Sequence, residues 1–401
     1  MIVFCSIVFW GFVGLFVPRN HMRGYLIIGS LCLPFLYFFF RPPMEYDLFR
    51  HYELLQLFRN NKLSTIVSDS VSEYNKLLDQ YSEGSFIYLV YAYVISLLKI
   101  DQLLPVITGM IIYAAISKII LMSVEDLGVE VQEWKIVLCF FFLLAVSDFR
   151  SISGIRNMLS YALFALAAYY DLVRNANKPL CFLCYLLLAG LHSSIFILII
   201  IRLLIMLDKG MLKWIIALIM LLSYSMLDLA LTFMSRFSHI PMINYLVEKI
   251  NFYGIEGGSG YNIRRALIFF FMILVQFFIY LYAARFSGHE WKFKRYGHFF
   301  FYYSLFAFGA VRQYDIFVRS NLLICFMVFP FLLTFLNTAV GETPAELFAP
   351  EKTVMGFRET ILYLLIYGAI LMALYMYVKW HYIPMDSSFS FQFGLSSLLR
   401  I

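Results

Sequence analysis

Charge is what this sequence has least of. Only 14% of its 401 residues are Asp, Glu, Lys or Arg, against 62% hydrophobic residues and 43 Phe. Mean hydropathy is +0.80. A chain so short of polar side chains cannot coat a water-facing globule, which excludes the soluble classes. Alternation over segments of about ten residues is missing too, and that excludes a transmembrane barrel. No internal repeat of fixed period, low-complexity linker or soluble domain is visible, so residues 1–401 read as one integral membrane domain.

Metal-binding patterns are equally scarce. The six cysteines, Cys5, Cys32, Cys139, Cys181, Cys184 and Cys325, all fall inside apolar runs, where cysteine behaves as a small hydrophobe. Cys181 and Cys184 make a lone CxxC with no second ligand pair, so no metal site and no cofactor is expected. The glycine-rich stretch from Gly254 to Tyr261 lacks the lysine and hydroxyl spacing of a phosphate-binding P-loop. The net charge of +6 follows from basic flanks and implies no nucleic acid.

What remains is apolar runs. A helix needs about 20 apolar residues to cross a hydrocarbon core roughly 30 Å thick. About twelve runs qualify, near 1–17, 24–41, 85–100, 103–122, 136–148, 157–173, 180–206, 212–234, 264–284, 298–311, 319–340 and 360–380. The expected fold is an all-α, polytopic helical bundle. The first run lacks a basic leading segment and a small-residue cleavage site and reads as a retained span. The short runs 136–148 and 298–311 are the candidates for re-entrant segments.

Lysine and arginine favour the cytoplasmic ends of spans, and the densest cluster is Arg285, Lys292, Lys294 and Arg295. Strict alternation from that loop puts Arg19 and Arg23 inside. It puts the long loops 42–84 and 235–263, and the acidic turn Glu125–Glu133, outside. The same alternation sends Arg150 and Arg156 inside and the Arg174/Lys178 turn outside, against the preference of that basic turn. A non-spanning segment between 85 and 148 would restore parity. Loop 42–84 carries apolar residues at helical spacing around Leu54, Leu55, Leu57 and Phe58, which predicts an interfacial helix. Loop 235–263 reads as a mobile lid over an outward-facing cavity.

Ionisable groups inside apolar spans are costly and mark functional cavities. Arg156 opens the run 157–173, although a snorkelling arginine at a span end would look the same. His192, in Gly190-Leu191-His192-Ser193-Ser194, lies about twelve residues into a run of about 27, near mid-membrane at 1.5 Å per residue. Arg312 and Arg319 flank Gln313-Tyr314-Asp315, where local pairing with Asp315 is the simpler explanation. Asp47 and Arg50 break the apolar sequence after the second run, where a surface ion pair between them accounts for both. Arginines beside an outward cavity suit a pyrophosphate, because guanidinium is permanently charged and bidentate. The surrounding Phe, Tyr and Leu suit an isoprenoid chain, and a substrate with both parts is a lipid-linked sugar. Glycosyl transfer also needs a base, for which Asp47 and His192 are the candidates.

The order DLFRHY after the second span, SGIRN at a helix start, GLHSS within a run and DIFVRSN further on resembles the EpsG/Wzy-like family of bacterial polysaccharide polymerases, over roughly residues 1–330. The resemblance implies a multi-pass enzyme of the bacterial cytoplasmic membrane with an architecture related to GT-C glycosyltransferases. Such an enzyme joins undecaprenyl-pyrophosphate-linked repeat units into capsule, exopolysaccharide or O-antigen. It implies the lipid-linked oligosaccharide as substrate, membrane lipids as surroundings, and chain-length regulator and flippase proteins as partners. It places the family's motifs on Asp47 and Tyr52, Ile155 and Arg156, His192 and Ser193, and Arg319. The expected roles are Asp47 or His192 as base, Arg156, Arg312 and Arg319 on pyrophosphate, and Arg50 and Tyr52 on sugar. A flippase or other transporter of the same substrate, a glycan ligase and a membrane O-acyltransferase are the rival expectations. The resemblance also needs Arg156 on the outer side, against the alternation.

Overall fold

The computed structural model describes residues 9–14, 16–39, 47–60, 86–146, 154–207, 210–222, 232–237, 239, 247, 263–286, 291–311 and 313–339. Arg312, most of loop 235–263 with its glycine-rich stretch, and the run 360–380 lie outside the described residues. Among those described there is no strand. The helices are α1 (Met22–Cys32, continued by a tighter turn over Leu33–Phe39), α2 (Asp47–Asn60), α3 (Phe86–Ser96), α4 (Leu103–Leu127), α5 (Glu133–Val146), α6 (Ile155–Leu172), α7 (Lys178–Ala189), α8 (Ile195–Leu204), α9 (Leu212–Leu221), α10 (Ile263–Phe286), α11 (Lys294–Gly309), α12 (Tyr314–Met327) and α13 (Phe329–Ala339). By length and composition, Leu103–Leu127 and Ala266–Phe286 can cross a membrane. Ile316–Met327 and Phe329–Thr338, bent by 54°, add a third crossing if taken together.

Local chemistry sets the boundaries. Gly128, at φ 67°, closes α4 in the left-handed conformation that glycine adopts without a Cβ penalty. Asn177 caps α7 by accepting the Leu180 N–H, and Pro179 follows in the first turn, where its missing N–H is harmless. Pro330 stands in the first turn of α13, where the bend from α12 occurs.

Cross-helix pairs give the packing directions. Ser30 meets Ser117 at 2.9 Å and Tyr37 meets Tyr113 at 2.8 Å, so α1 and α4 are antiparallel. The ring pairs Phe164–Phe299 and Tyr169–Tyr296 make α6 and α11 antiparallel. Lys135–Asn337 and Phe142–Phe329 do the same for α5 and α13.

Helices α7 and α8 correct the reading of 180–206 as one run. Arg202 of α8 lies over the Phe182 ring of α7 at 5.7 Å, and its Nε donates to Asp171 of α6 at 2.6 Å. Residues twenty apart in a continuous helix would stand about 30 Å apart, so the two arms must fold back on each other. The turn Gly190–Ser194 is their tip. At twelve residues α7 is about 18 Å long, well short of a bilayer core of about 30 Å. Asp171 is fully buried and accepts from Lys178 Nζ (2.6 Å), Tyr185 Oη (3.0 Å) and Arg202 Nε, which clamps both feet of the hairpin to α6.

The acidic turn is also relocated. Glu125 pairs with Arg23 (3.6 Å) and Arg174 (2.9 Å), and Asp126 with Arg174 (2.5 Å) and Lys292 (3.9 Å). Glu130 pairs with Arg19, and Arg295 donates to Asn175 at 2.8 Å. The acidic residues therefore share one end of the bundle with the basic turns, and Arg156 belongs to the other end. Helix α3 explains the change: at eleven residues, about 16 Å, it runs from the hairpin tip only as far as Arg59 and Asp101. It is the non-spanning segment that parity requires between 85 and 148. The hairpin is a second one, and the two errors cancel by residue 285.

Single cysteines placed at Asn20 and Asn175 are expected to take an impermeant label from the same side of sealed vesicles. Labelling from opposite sides would refute the shared end. Asp171→Ala leaves the buried Arg202 without its counter-charge and is expected to destabilise the fold by about 3–5 kcal/mol, read as a lowered thermal midpoint in detergent.

Candidate functional site

Helix α2 appears where the apolar spacing predicts it. Leu48, His51, Tyr52, Leu55 and Phe58 form one buried face. That face packs on α3, so it is not laid on a lipid surface. His51 meets Tyr88, Phe58 meets Tyr93, and Arg59 Nε donates to the Ser96 carbonyl, so the two helices run parallel. Asp47 and Arg50 are exposed at the start of the helix and approach each other at 3.8 Å, a weak surface pair.

Three elements meet at the start of α3. The Ile87 N–H donates to the Gly190 carbonyl at 3.1 Å, which joins α3 to the hairpin tip. A Cβ on Gly190 would stand 2.9 Å from Ile87 Cδ1, so this close approach suits glycine. The Tyr88 hydroxyl lies 2.8 Å from His51 Nδ1. The Arg156 guanidinium, from the first turn of α6, lies over the Tyr88 ring at 5.6 Å. The result is a column of His51, Tyr88 and Arg156 drawn from three helices, beside the tip that carries His192.

The electrostatics are one-sided. An arginine in a first turn opposes the helix dipole at a cost of about 0.3–1 kcal/mol, so helix stability alone does not favour Arg156 there. The N-caps of α6 and α12, Gly154 and Gln313, make no side-chain cap bond, whereas the start of α8 is closed by the His192 ring and by the carbonyls of His192, Ser193 and Ser194. First-turn N–H groups at such ends suit an anion. Among the described residues, buried Gln313 Nε2 and Asn157 Oδ1 meet no hydrogen-bond partner. His51 is 2% exposed, and α2 is not among the membrane-crossing helices. Burial, then Arg156, then Arg50 hold its imidazole well below its ordinary value, so it is neutral near pH 7.

Of the residues expected from sequence, Asp47, Arg50 and Tyr52 share α2 with His51, and Arg156 stands across Tyr88 from them. His192 Nδ1 accepts the Ser194 N–H at 3.1 Å and lies 2.7 Å from Ser194 Oγ. With Nδ1 accepting, the ring N–H is the one on Nε2. Half-buried Arg319 lies on α12, on a neighbouring wall, next to Ser320, whose hydroxyl bonds Tyr303. Arg312 lies outside the described residues. Sequence reasoning passed over His51 and Tyr88. His51 sits inside the DLFRHY stretch, one helical turn after Asp47, and that spacing was a usable signal. Tyr88 is one of 29 tyrosines, and nothing local separates it from the rest. No family model, curated protein or solved structure matches this chain.

Because His192 Nδ1 fills the place of a helix cap, His192→Ala is expected to lose about 1 kcal/mol of stability, and His192→Asn, which restores an acceptor, to recover most of it. Equal thermal midpoints for the two variants would refute the capping role.

Proposed function

We propose that this protein is a multi-pass glycosyltransferase of the bacterial cytoplasmic membrane, a polymerase that joins lipid-pyrophosphate-linked oligosaccharide units. The observation that carries the reading is Arg156, a permanent charge held over the Tyr88 ring from the first turn of α6, whose N-cap Gly154 makes no side-chain cap bond. Guanidinium and first-turn N–H groups are the natural ligands of phosphate oxygens where water is scarce. The reading takes the bundle as GT-C-like, with about ten of the twelve apolar runs spanning once 85–100 and 180–206 are set aside, and with the Arg156 end facing an outward cavity. The agreement of DLFRHY, SGIRN and GLHSS with one cluster supports it, since the resemblance rests on those stretches.

In the proposed step the acceptor hydroxyl oxygen bonds to the anomeric carbon of the donor sugar. The bond from that carbon to the pyrophosphate oxygen breaks, and its electron pair leaves with the pyrophosphate. The acceptor proton passes to a base, Asp47 or His192. Arg156, Arg319 and Arg312 neutralise the leaving group, and Arg50 and Tyr52 orient sugar. A glycan ligase would share all of this except the acceptor.

One observation favours a second reading, transport of the same lipid-linked sugar. The α7–α8 hairpin and the bent α12–α13 pair are interrupted helices inside the bundle, which transporters use to build substrate sites.

Chain growth from purified lipid-linked repeat units separates the two. Arg156→Ala is expected to slow it about 100-fold or more, and Arg156→Lys to recover only part, because an ammonium cannot bind bidentately. In cells, loss of the protein is expected to collapse the surface polysaccharide ladder to a single unit. Growth in vitro that survives both Arg156→Ala and the double change Asp47→Asn with His192→Ala would overturn these residue roles, and no growth with the wild-type protein would sink the polymerase and leave transport.

A further inference from the structure

His51 belongs to none of the proposed steps, yet it is buried and hydrogen-bonded at the centre of the site. Its Nδ1 is 2.8 Å from the Tyr88 hydroxyl, and the Tyr88 ring carries the Arg156 guanidinium at 5.6 Å. Among the described residues, the charged groups acting on it are Arg156 from α6 and Arg50 from its own helix, with Asp47 drawn to Arg50 at 3.8 Å. From α3 it faces Tyr88. The imidazole is thus a proton acceptor kept empty by burial and by two cations.

An anion that settles on Arg156 cancels part of the field that keeps the imidazole neutral. We propose that anion binding at Arg156 is coupled to proton uptake by His51, so that the site takes up a phosphate group together with a proton. In the neutral state the Tyr88 hydroxyl donates to Nδ1. In the protonated state Nδ1–H donates to the Tyr88 oxygen, so the column survives the change without moving a helix. Because an anion raises the proton affinity of His51, linkage requires the reciprocal effect: affinity for the anion strengthens as pH falls below the ordinary histidine range. This rests on the reading that Arg156 binds a phosphate group. It goes beyond that reading by giving the site a second, titratable ligand, and it holds for polymerase and transporter alike.

The test is calorimetric titration of the detergent-purified full chain at pH 6 in two buffers of different ionisation enthalpy, which counts protons taken up per ligand bound. The probes are inorganic pyrophosphate and farnesyl pyrophosphate, and the comparison is with His51→Gln and, should that variant fail to fold, His51→Asn. Subtracting the variant from wild type removes the ligand's own protonation. Wild type is expected to take up a measurable fraction of a proton more than the variant, and the excess is expected to vanish at pH 8. Tighter binding of the farnesyl probe would assign the site to a lipid headgroup, whereas equal binding would assign it to a free phosphate. Equal proton uptake by wild type and variant, with binding that Arg156→Ala still abolishes, overturns the coupling and spares the phosphate site. Binding that is absent, or unchanged by Arg156→Ala, overturns both.

Discussion

The buried carboxylate of Asp171 holds the arrangement on which the site depends. A charge taken out of water is tolerable only when it is paired and hydrogen-bonded. Asp171 meets that condition by drawing Lys178 and Tyr185 from one arm of the hairpin and Arg202 from the other. Both feet are thereby tied to α6, the same helix whose first turn bears Arg156. The clamp and the site lie at opposite ends of one rigid element, about 22 Å apart at 1.5 Å per residue.

From that clamp the geometry follows upward. The length of the hairpin sets the depth of Gly190, whose carbonyl receives the first turn of α3. Helix α3 then presents Tyr88 to His51 on one side and to Arg156 on the other. Interrupted helices are the reason polar chemistry can exist here. A continuous helix satisfies its own backbone and offers nothing, whereas an end exposes N–H groups and lets the chain turn. The starts of α3 and α8 meet at the Gly190 turn, and the start of α6, whose N-cap makes no side-chain bond, lies beside them through Arg156 and Tyr88.

Several features were legible in the residues. The all-helical class, the helix in loop 42–84 and the prominence of Asp47, Arg50, Arg156 and His192 all came from hydropathy and from the rarity of charge. Topology did not. An apolar run reports only that a segment avoids water, and the runs at 85–100 and 180–206 do so without traversing the bundle. Each reversed the alternation, and together they restored it, so Arg19 and Arg295 agreed while Glu125, Arg156 and Arg174 between them were inverted. The basic character of the Arg174/Lys178 turn was the one local signal of that inversion.

By itself, then, the sequence determined the solvent this protein is built for and which residues cannot be explained as packing, because both depend on side-chain chemistry counted along the chain. Only the tertiary structure decided that His51 and Tyr88 complete the column with Arg156, and that His192 Nδ1 serves a helix cap. Those facts depend on where a hairpin folds back and which ring meets which guanidinium. Contacts between α2, α3 and α6 join residues up to about a hundred positions apart, and no periodicity in a single sequence encodes a distance of that kind.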